Sequence, residues 1–321
     1  MAKRYDDNDL RAIENACLLK CDAGETMFFA EELNAVKAKT YDVKTPANNA
    51  LMVFPVTSEA HPGSRTVSFD SYDAVGIAKI ITNYADDLPR ADVKATRETA
   101  KVYHFGISYG YSTQDIREAK MARKPLSSKK AEAARRANDA AVNKMAFYGN
   151  KEYGIVGVFN HPNISKYVIE NDGDGTSTEW KKKTPEQIIR DLTDSVGSIV
   201  EITNGVEIPD TILMPITQYN LISGTLMPDS SGKTIRTFFL ENNPYIKNII
   251  AVHEAAGAGS DGKDVMFIYR KDPNALSLEV PLPFEQYAPQ AENLEFVVPC
   301  ESATAGVLVY YPLSACIVEG L

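Results

Sequence analysis

The chain has 321 residues, 44% of them hydrophobic and 24% charged, so it can bury a sizeable core and falls outside the disordered, collagen-like and coiled-coil classes. Lys plus Arg number 34 against 43 Asp plus Glu, a net charge of −9, which disfavours a surface devoted to duplex phosphate and leaves only a local basic stripe open. No apolar run approaches the ~18 residues of a membrane span, and Met1-Ala2-Lys3-Arg4-Tyr5-Asp6-Asp7 turns acidic where a signal peptide turns apolar, so a cytoplasmic protein is expected.

Residues 1–60 read as a short helix around Leu10 to Cys21, then an irregular arm broken by Pro46 and Pro55 with little core of its own. His61-Pro62-Gly63-Ser64 punctuates the chain, and Thr66 to Tyr72 alternates so that Val67 and Phe69 share a face. A turn at Asp86-Asp87-Leu88-Pro89-Arg90 precedes a second extended run from Val93 to Tyr111, which makes 61–105 a long two-stranded excursion. Leu126 to Tyr148 contains neither Gly nor Pro and is rich in alanine, with Ser127 or Ser128 to cap its start and Gly149 to close its end. Thr184-Pro185-Glu186-Gln187 has the form of a capping box, and Ile188, Ile189, Leu192, Val196, Ile199 and Val200 follow at helical spacing up to Gly205. Beyond it come an apolar run Thr211 to Met214, a short helix Ile235 to Glu241 halted by Pro244, and extended runs at Ile249 to His253 and Val265 to Tyr269. The tail reads as β at Leu276 to Val280, Leu294 to Val298 and Val307 to Tyr311. Helices and strands mix without regular alternation, so the class is α+β.

Most chemical motifs fail on context. Gly257-Ala-Gly259-Ser-Asp-Gly262 has dinucleotide-loop spacing but runs into a strand, where its amides would not converge on phosphate. Gly106-Ile107-Ser108-Tyr109-Gly110 matches a nucleophile elbow, yet strand alternation passes straight through it, with Phe105, Ile107, Tyr109 and Tyr111 on one face and His104, Gly106, Ser108 and Gly110 on the other. Glu170-x-Asp172-x-Asp174-Gly175 resembles half a calcium loop, but its twelfth position is Lys181, so a polar surface loop is the expectation. Asn163-Ile164-Ser165 is a glycosylation sequon only in a secreted chain. Cys17 and Cys21 lie one helical turn apart and read as a buried face with Leu18; His61, His104, His161 and His253 lack ligand spacing. The four cysteines read as free thiols, and neither metal nor cofactor is expected.

Charge is segregated. Arg123 to Lys151 holds eight Lys or Arg against Glu132 and Asp139, a net +6, whereas Asp272 to Leu321 holds seven acids and no Lys or Arg. At about 100° per residue, Ala131, Ala134, Ala141, Val142 and Met145 fall within one packing arc of the basic helix, and Lys129, Arg136 and Lys144 fall opposite. Solvated faces, pairing with the acidic tail, and contact with a polyanion all remain open at this point.

Several stretches in order, Gly76 to Arg90, Tyr109-Gly-Tyr-Ser-Thr-Gln-Asp-Ile-Arg117, Ala134-Arg-Arg-Ala-Asn138, Asn242-Asn-Pro-Tyr-Ile-Lys247, Leu294 to Cys300 and Val307 to Leu313, resemble the major capsid proteins of tailed bacteriophages. The resemblance implies the Hong Kong 97-type capsid fold: an N-terminal arm at 1–60, an extended loop at 61–105, a peripheral domain at 106–183 and 273–321 with its spine helix at 126–148, and an axial domain at 184–272. It further implies self-assembly of pentamers and hexamers into an icosahedral shell around packaged double-stranded DNA, in the cytoplasm of a host bacterium. A loop that starts near residue 61 leaves no room for a fused scaffolding domain, while a separate scaffold, a portal and decoration proteins stay possible partners. The Lys and Asn used by relatives that crosslink have no match, so a non-covalent shell is expected. Because the family's spine helix faces the shell interior, Lys129, Arg136 and Lys144 are the residues expected to meet DNA, with the acidic C-terminal strands as the rival partner. A bacterial nanocompartment shell of the same fold is the nearest alternative, and a serine hydrolase built on Ser108 a distant one.

Overall fold

The computed structural model of the chain describes residues 46–75, 92–122, 128–175, 177–228, 230 and 232–321. The helix expected near Leu10 to Cys21, the turn at 86–90 and Ser127 lie outside these residues. From the N-terminal side the elements are α1 (Ala50–Val53), β1 (Val56–Thr57), β2 (Thr66–Val75), β3 (Asp92–Lys101), β4 (Tyr103–Ser112), α2 (Thr113–Ala122), α3 (Lys129–Tyr148), β5 (Gly149–Asn150), β6 (Ile155–Val156) and β7 (Ser165–Val168). There follow α4 (Pro185–Ile202), β8 (Thr211–Met214), α5 (Ile216–Gly224), α6 (Ile235–Asn242), β9 (Asn248–Ala251) and β10 (Val265–Tyr269). The last are β11 (Leu276–Glu279), β12 (Leu282–Gln286), β13 (Gln290–Glu292), β14 (Glu295–Thr304), β15 (Gly306–Val309) and β16 (Ala315–Glu319).

The centre is a five-stranded sheet in the order β7-β16-β10-β8-β9, antiparallel on both sides of β10 and parallel at its two edges. All five residues of β10 are buried, because both faces of the sheet are covered and a strand so placed must be apolar throughout. Its odd residues, Val265, Phe267 and Tyr269, enter one core with Val142, Ala146 and Phe147 of α3. Its even residues, Met266 and Ile268, enter a second with Ile188, Leu192, Val196 and Ile199 of α4 and with Phe239 of α6. Alternation therefore splits one apolar run between two layers of helix.

Among the described residues the helix expectations hold, with one exception at a cap. α4 opens on the capping box: the Gln187 N–H donates to Thr184 Oγ1 at 3.4 Å and the Thr184 N–H donates to Gln187 Oε1 at 2.8 Å, with Pro185 in the first turn. α3 starts without such a cap, since Ser128 adopts a helical backbone and its hydroxyl donates to Glu132 Oε1 instead of accepting from an amide. Gly149 closes α3 at φ +65°, where a Cβ would sit 2.3 Å from the Ile155 carbonyl oxygen.

Two boundaries differ from expectation. Residues 50–57, expected in an arm with little core, are built into the body: Phe54 is buried with its ring 5.3 Å from Phe147, and the Tyr269 hydroxyl donates to the Val53 carbonyl at 2.7 Å. β1 then pairs in parallel with β11, whose other edge takes β15. The C-terminal tail divides as well. β12, β13 and β14 form a sheet with β4, but β16 crosses into the central sheet beside β10, as does β7. The reason is packing, since Cys316 and Val318 supply the second core while Ala315 and Ile317 supply the first. β7 and α5 were not foreseen.

Candidate assembly surfaces

β2 and β3 form a ten-pair antiparallel hairpin, from Thr66↔Lys101 to Val75↔Asp92. Arg97 clasps Asp70 through two bonds of 2.6 and 2.9 Å, and the Ser68 and Thr99 hydroxyls meet at 2.9 Å. These pairs hold the two strands to each other rather than to the body. Among the described residues the hairpin is anchored at its root, where Val67 and Ala100 pack beside Val102, Ala303, Ala305 and Leu308 and the Phe69 ring stands edge-on to Tyr310 at 4.8 Å. Farther out, Tyr72 is 69% and Val93 58% exposed.

β4 lies antiparallel to β14 through ten residue pairs without a bulge. α3 covers one face of this sheet, where Asn138 accepts from the Ser302 hydroxyl at 2.6 Å. The other face, with His104, Gly106 and Ser108, is open. His104 Nδ1 sits 2.6 Å from Glu301 Oε1, and the Tyr287 hydroxyl donates to Glu301 Oε2 at 3.0 Å; the His104 and Tyr287 hydrogen bonds hold the Glu301 carboxyl below its usual range. Ser108 stands in mid-strand opposite Pro299, so the sharp strand-to-helix turn of a nucleophile elbow is not formed. Among the described residues no group of three or more His, Cys, Asp or Glu side chains is arranged to hold a metal, and Cys300 and Cys316 are buried free thiols whose pKa burial raises.

On α3, Lys129, Arg136 and Lys144 are all exposed. The packing arc is broader than the expected one. Ala134 and Val142 are buried as anticipated and Ala131, Ala141 and Met145 half-buried, but Asn138, Asn143, Ala146 and Phe147 are buried too. Asn143 and Phe147 lie on the cation side of the helix, because residues 49–54 cover its C-terminal half. There the Ala50 N–H donates to Asn143 Oδ1 at 2.8 Å, and Asn49 and Asn143 both donate to the buried Glu254 carboxylate, at 2.9 and 2.7 Å. Three acids of the tail are engaged elsewhere: Glu301 with His104, Glu319 with Lys166, Asp272 with Arg270. Among the described residues Arg136 and Lys144 form no ion pair.

The half calcium loop is an ion-pair cluster. Lys183 Nζ, fully buried, donates to the Glu170 carbonyl at 2.7 Å and to Asp191 Oδ2 at 2.7 Å, and lies 2.9 Å from Asp172 Oδ1; Arg190 also grips Asp172. Lys183 and Arg190 hold the Asp172 carboxyl at about 2. Burial pushes Asp191 up, opposed by Lys183. Two cations pair with these carboxylates. The cluster ties the loop at 170–183 to α4. Sequence spacing missed it because Lys183 and Asp191 come together only through the turn ahead of that helix.

A family model described as major capsid protein matches residues 76–321. Among curated proteins none matches the chain in sequence. Among solved structures, the capsid of Myoviridae Phage XM1 superposes with a TM-score of 0.77 at 14% identity, covering 92% of this chain and 99% of that one. A chain of Microbacterium phage Oxtober96 gives 0.59 at 11% identity over 90% of this chain and 97% of that one. A virus-like particle from Pyrococcus furiosus gives 0.52 at 15% identity over 84% and 91%. At such identities the likeness shows a shared fold, that of Hong Kong 97-type capsids.

Proposed function

The chain belongs to the major capsid protein family and is a shell-forming structural protein, and from that premise we propose that many copies close into a non-covalent icosahedral shell around packaged phage DNA, assembled in the bacterial cytoplasm. The hairpin carries this reading: a ten-pair excursion with an exposed Tyr72, anchored among the described residues at its root, has stable surroundings when a neighbouring copy covers it. In the same reading, the hairpin is the extended loop, α3 the spine helix, β4 with β12–β14 the peripheral sheet, and α4–α6 with β8–β10 the axial domain. The function is interface formation rather than chemistry.

Lys129, Arg136 and Lys144 serve as the DNA-facing cations. What supports this is their exposure and the engagement of Glu301, Glu319 and Asp272 with other partners, which weakens the rival of structural pairing with the tail. Several cations facing dense phosphate act together through counterion release, whereas exposed protein ion pairs contribute only ~0–1 kcal/mol each. The test is the triple replacement of Lys129, Arg136 and Lys144 by Ala. Empty shells are expected at normal yield with DNA retention that weakens and becomes more salt-sensitive; failure to form empty shells would assign the cations to the protein lattice instead. The likeness to the Pyrococcus furiosus particle supports a nanocompartment as the second reading, and the contents of shells purified from an infected host separate the two: nucleic acid for a capsid, protein for a compartment. A separate scaffold, a portal and decoration proteins are the further partners of the capsid reading.

A further inference from the structure

Where its root meets the body, the β2–β3 hairpin borders a cavity of about 300 Å³. Phe69, Glu98 and Ala100 line one side, and Ile155 of β6 with Val307 and Leu308 of β15 line the other. Val67 lies opposite Ala100 and Phe69 opposite Glu98 in the register, so these four side chains share the hairpin face that turns to the body. His161 is half-buried and lines the same cavity. Its Nδ1 accepts from the Asn163 N–H at 3.2 Å, which leaves the proton of the neutral ring on Nε2, without a partner among the described residues. His61 makes the same turn, accepting from the Gly63 N–H at 3.0 Å, but stands exposed. The two histidines therefore differ in burial and not in local geometry.

Few charged or titratable groups face His161. β3 presents Glu98 and Lys101, β4 presents Tyr103 and the turn before β6 presents Tyr153, whereas β15 presents apolar side chains alone. The Tyr103 hydroxyl is already spent on the Tyr153 carbonyl. Protonating His161 would turn Nδ1 from an acceptor into a donor aimed at the Asn163 N–H, and would set a charge between apolar walls. Burial accordingly holds the imidazole below its ordinary 6.5, with Glu98 across the cavity pulling the other way.

We propose that His161 is a proton-operated pin at the root of the hairpin: the neutral ring keeps the root closed, and protonation frees the hairpin to swing away from the body. Opening is the favoured response because it admits water to the charged ring. The contacts it gives up are confined to the root, the Phe69 edge on Tyr310 and the packing of Val67 and Ala100 beside Leu308. The pH window follows from linkage. A histidine that is harder to protonate in the closed arrangement contributes to closure in full above its ordinary 6.5, and that contribution is lost as the pH falls from there through the lower value it has in the closed root. The device belongs to the subunit, so it stands or falls separately from the shell reading. Within that reading it sets the bearing with which the hairpin meets a neighbouring copy.

Nuclear magnetic resonance of the unassembled full chain tests this, with the cross-peak between the Phe69 and Tyr310 rings reporting closure of the root. In the wild type that cross-peak is expected to weaken roughly threefold between about pH 8 and about pH 5, in step with the His161 imidazole resonances. His161→Gln keeps an acceptor for the Asn163 N–H but cannot titrate, so its cross-peak should hold the high-pH intensity throughout. His61→Gln, the same change in the exposed turn, should leave the wild-type profile in place. Glu98→Gln should move the transition to lower pH, because the carboxylate that favours the imidazolium is gone. An unmoved midpoint in that variant would overturn the part given to Glu98. A wild-type cross-peak that stays constant while the His161 ring titrates would overturn the pin itself, and this result needs no variant to fold. A wild-type pH profile retained in His161→Gln would overturn it equally.

Discussion

β10 and the β2–β3 hairpin are both β structure, yet they differ in what completes them. Every residue of β10 is buried, and its two faces are divided between two cores supplied by the same chain. The hairpin has ten residue pairs and an exposed outer half, with Tyr72 and Val93 facing solvent. The central sheet obtains its cover from helices of the same chain, so the chain alone specifies it. Among the described residues the outer half of the hairpin has little cover, and in the proposed shell that cover comes from other copies.

The sharpest way to break this contrast is to compare deletions in the two regions. Phe267→Ala should destabilise the isolated subunit by about 3–5 kcal/mol in urea denaturation, because it empties a filled core. Lys183→Met should cost about 3 kcal/mol by removing the buried cation from the Asp191 carboxylate and leaving it only the more exposed Arg190, and adding Asp191→Leu should recover most of that loss. Thr184→Ala should cost about 1 kcal/mol through the lost cap of α4. Acid sharpens the picture further. Asp172 is held at about 2 against an ordinary 3.8, so its contribution is complete above about pH 4 and is lost as the pH falls toward 2. Asp172→Asn should remove that part of the acid limb of the stability curve. The smallest effect belongs to the hairpin: Tyr72→Ser should shift subunit stability by no more than about 0.5 kcal/mol, yet slow assembly. A loss matching that of Phe267→Ala would mean that the hairpin is part of the subunit core.

Local signals were legible in the sequence because they depend on neighbours a few residues away. The capping box at Thr184 and Gln187, the glycine stop at Gly149 and the alternation of Val67 with Phe69 are of this kind. The apolar run Val265 to Tyr269 was legible as a strand, but not as one shared between two cores, since burial on both faces depends on α3 and α4. Segments whose partners lie far away were misplaced. Residues 50–57 looked like loose arm because Phe54 meets Phe147 and Tyr269 only in the fold, and β16 looked like the end of the peripheral sheet because nothing local says which neighbour it takes. On the candidate surfaces, the exposed cations of α3 could be placed by periodicity alone. Asn138 and Asn143 could not, because their burial is compensated by Ser302, Ala50 and Glu254 from other elements.

The most direct measurement is negative-stain electron microscopy of the purified protein across a concentration series, read beside light scattering from the same samples. Closed shells of uniform diameter are expected once concentration rises, with or without added scaffold. A species that stays strictly monomeric at high concentration, over a range of salt and pH and with a scaffold supplied, would contradict the shell-forming function.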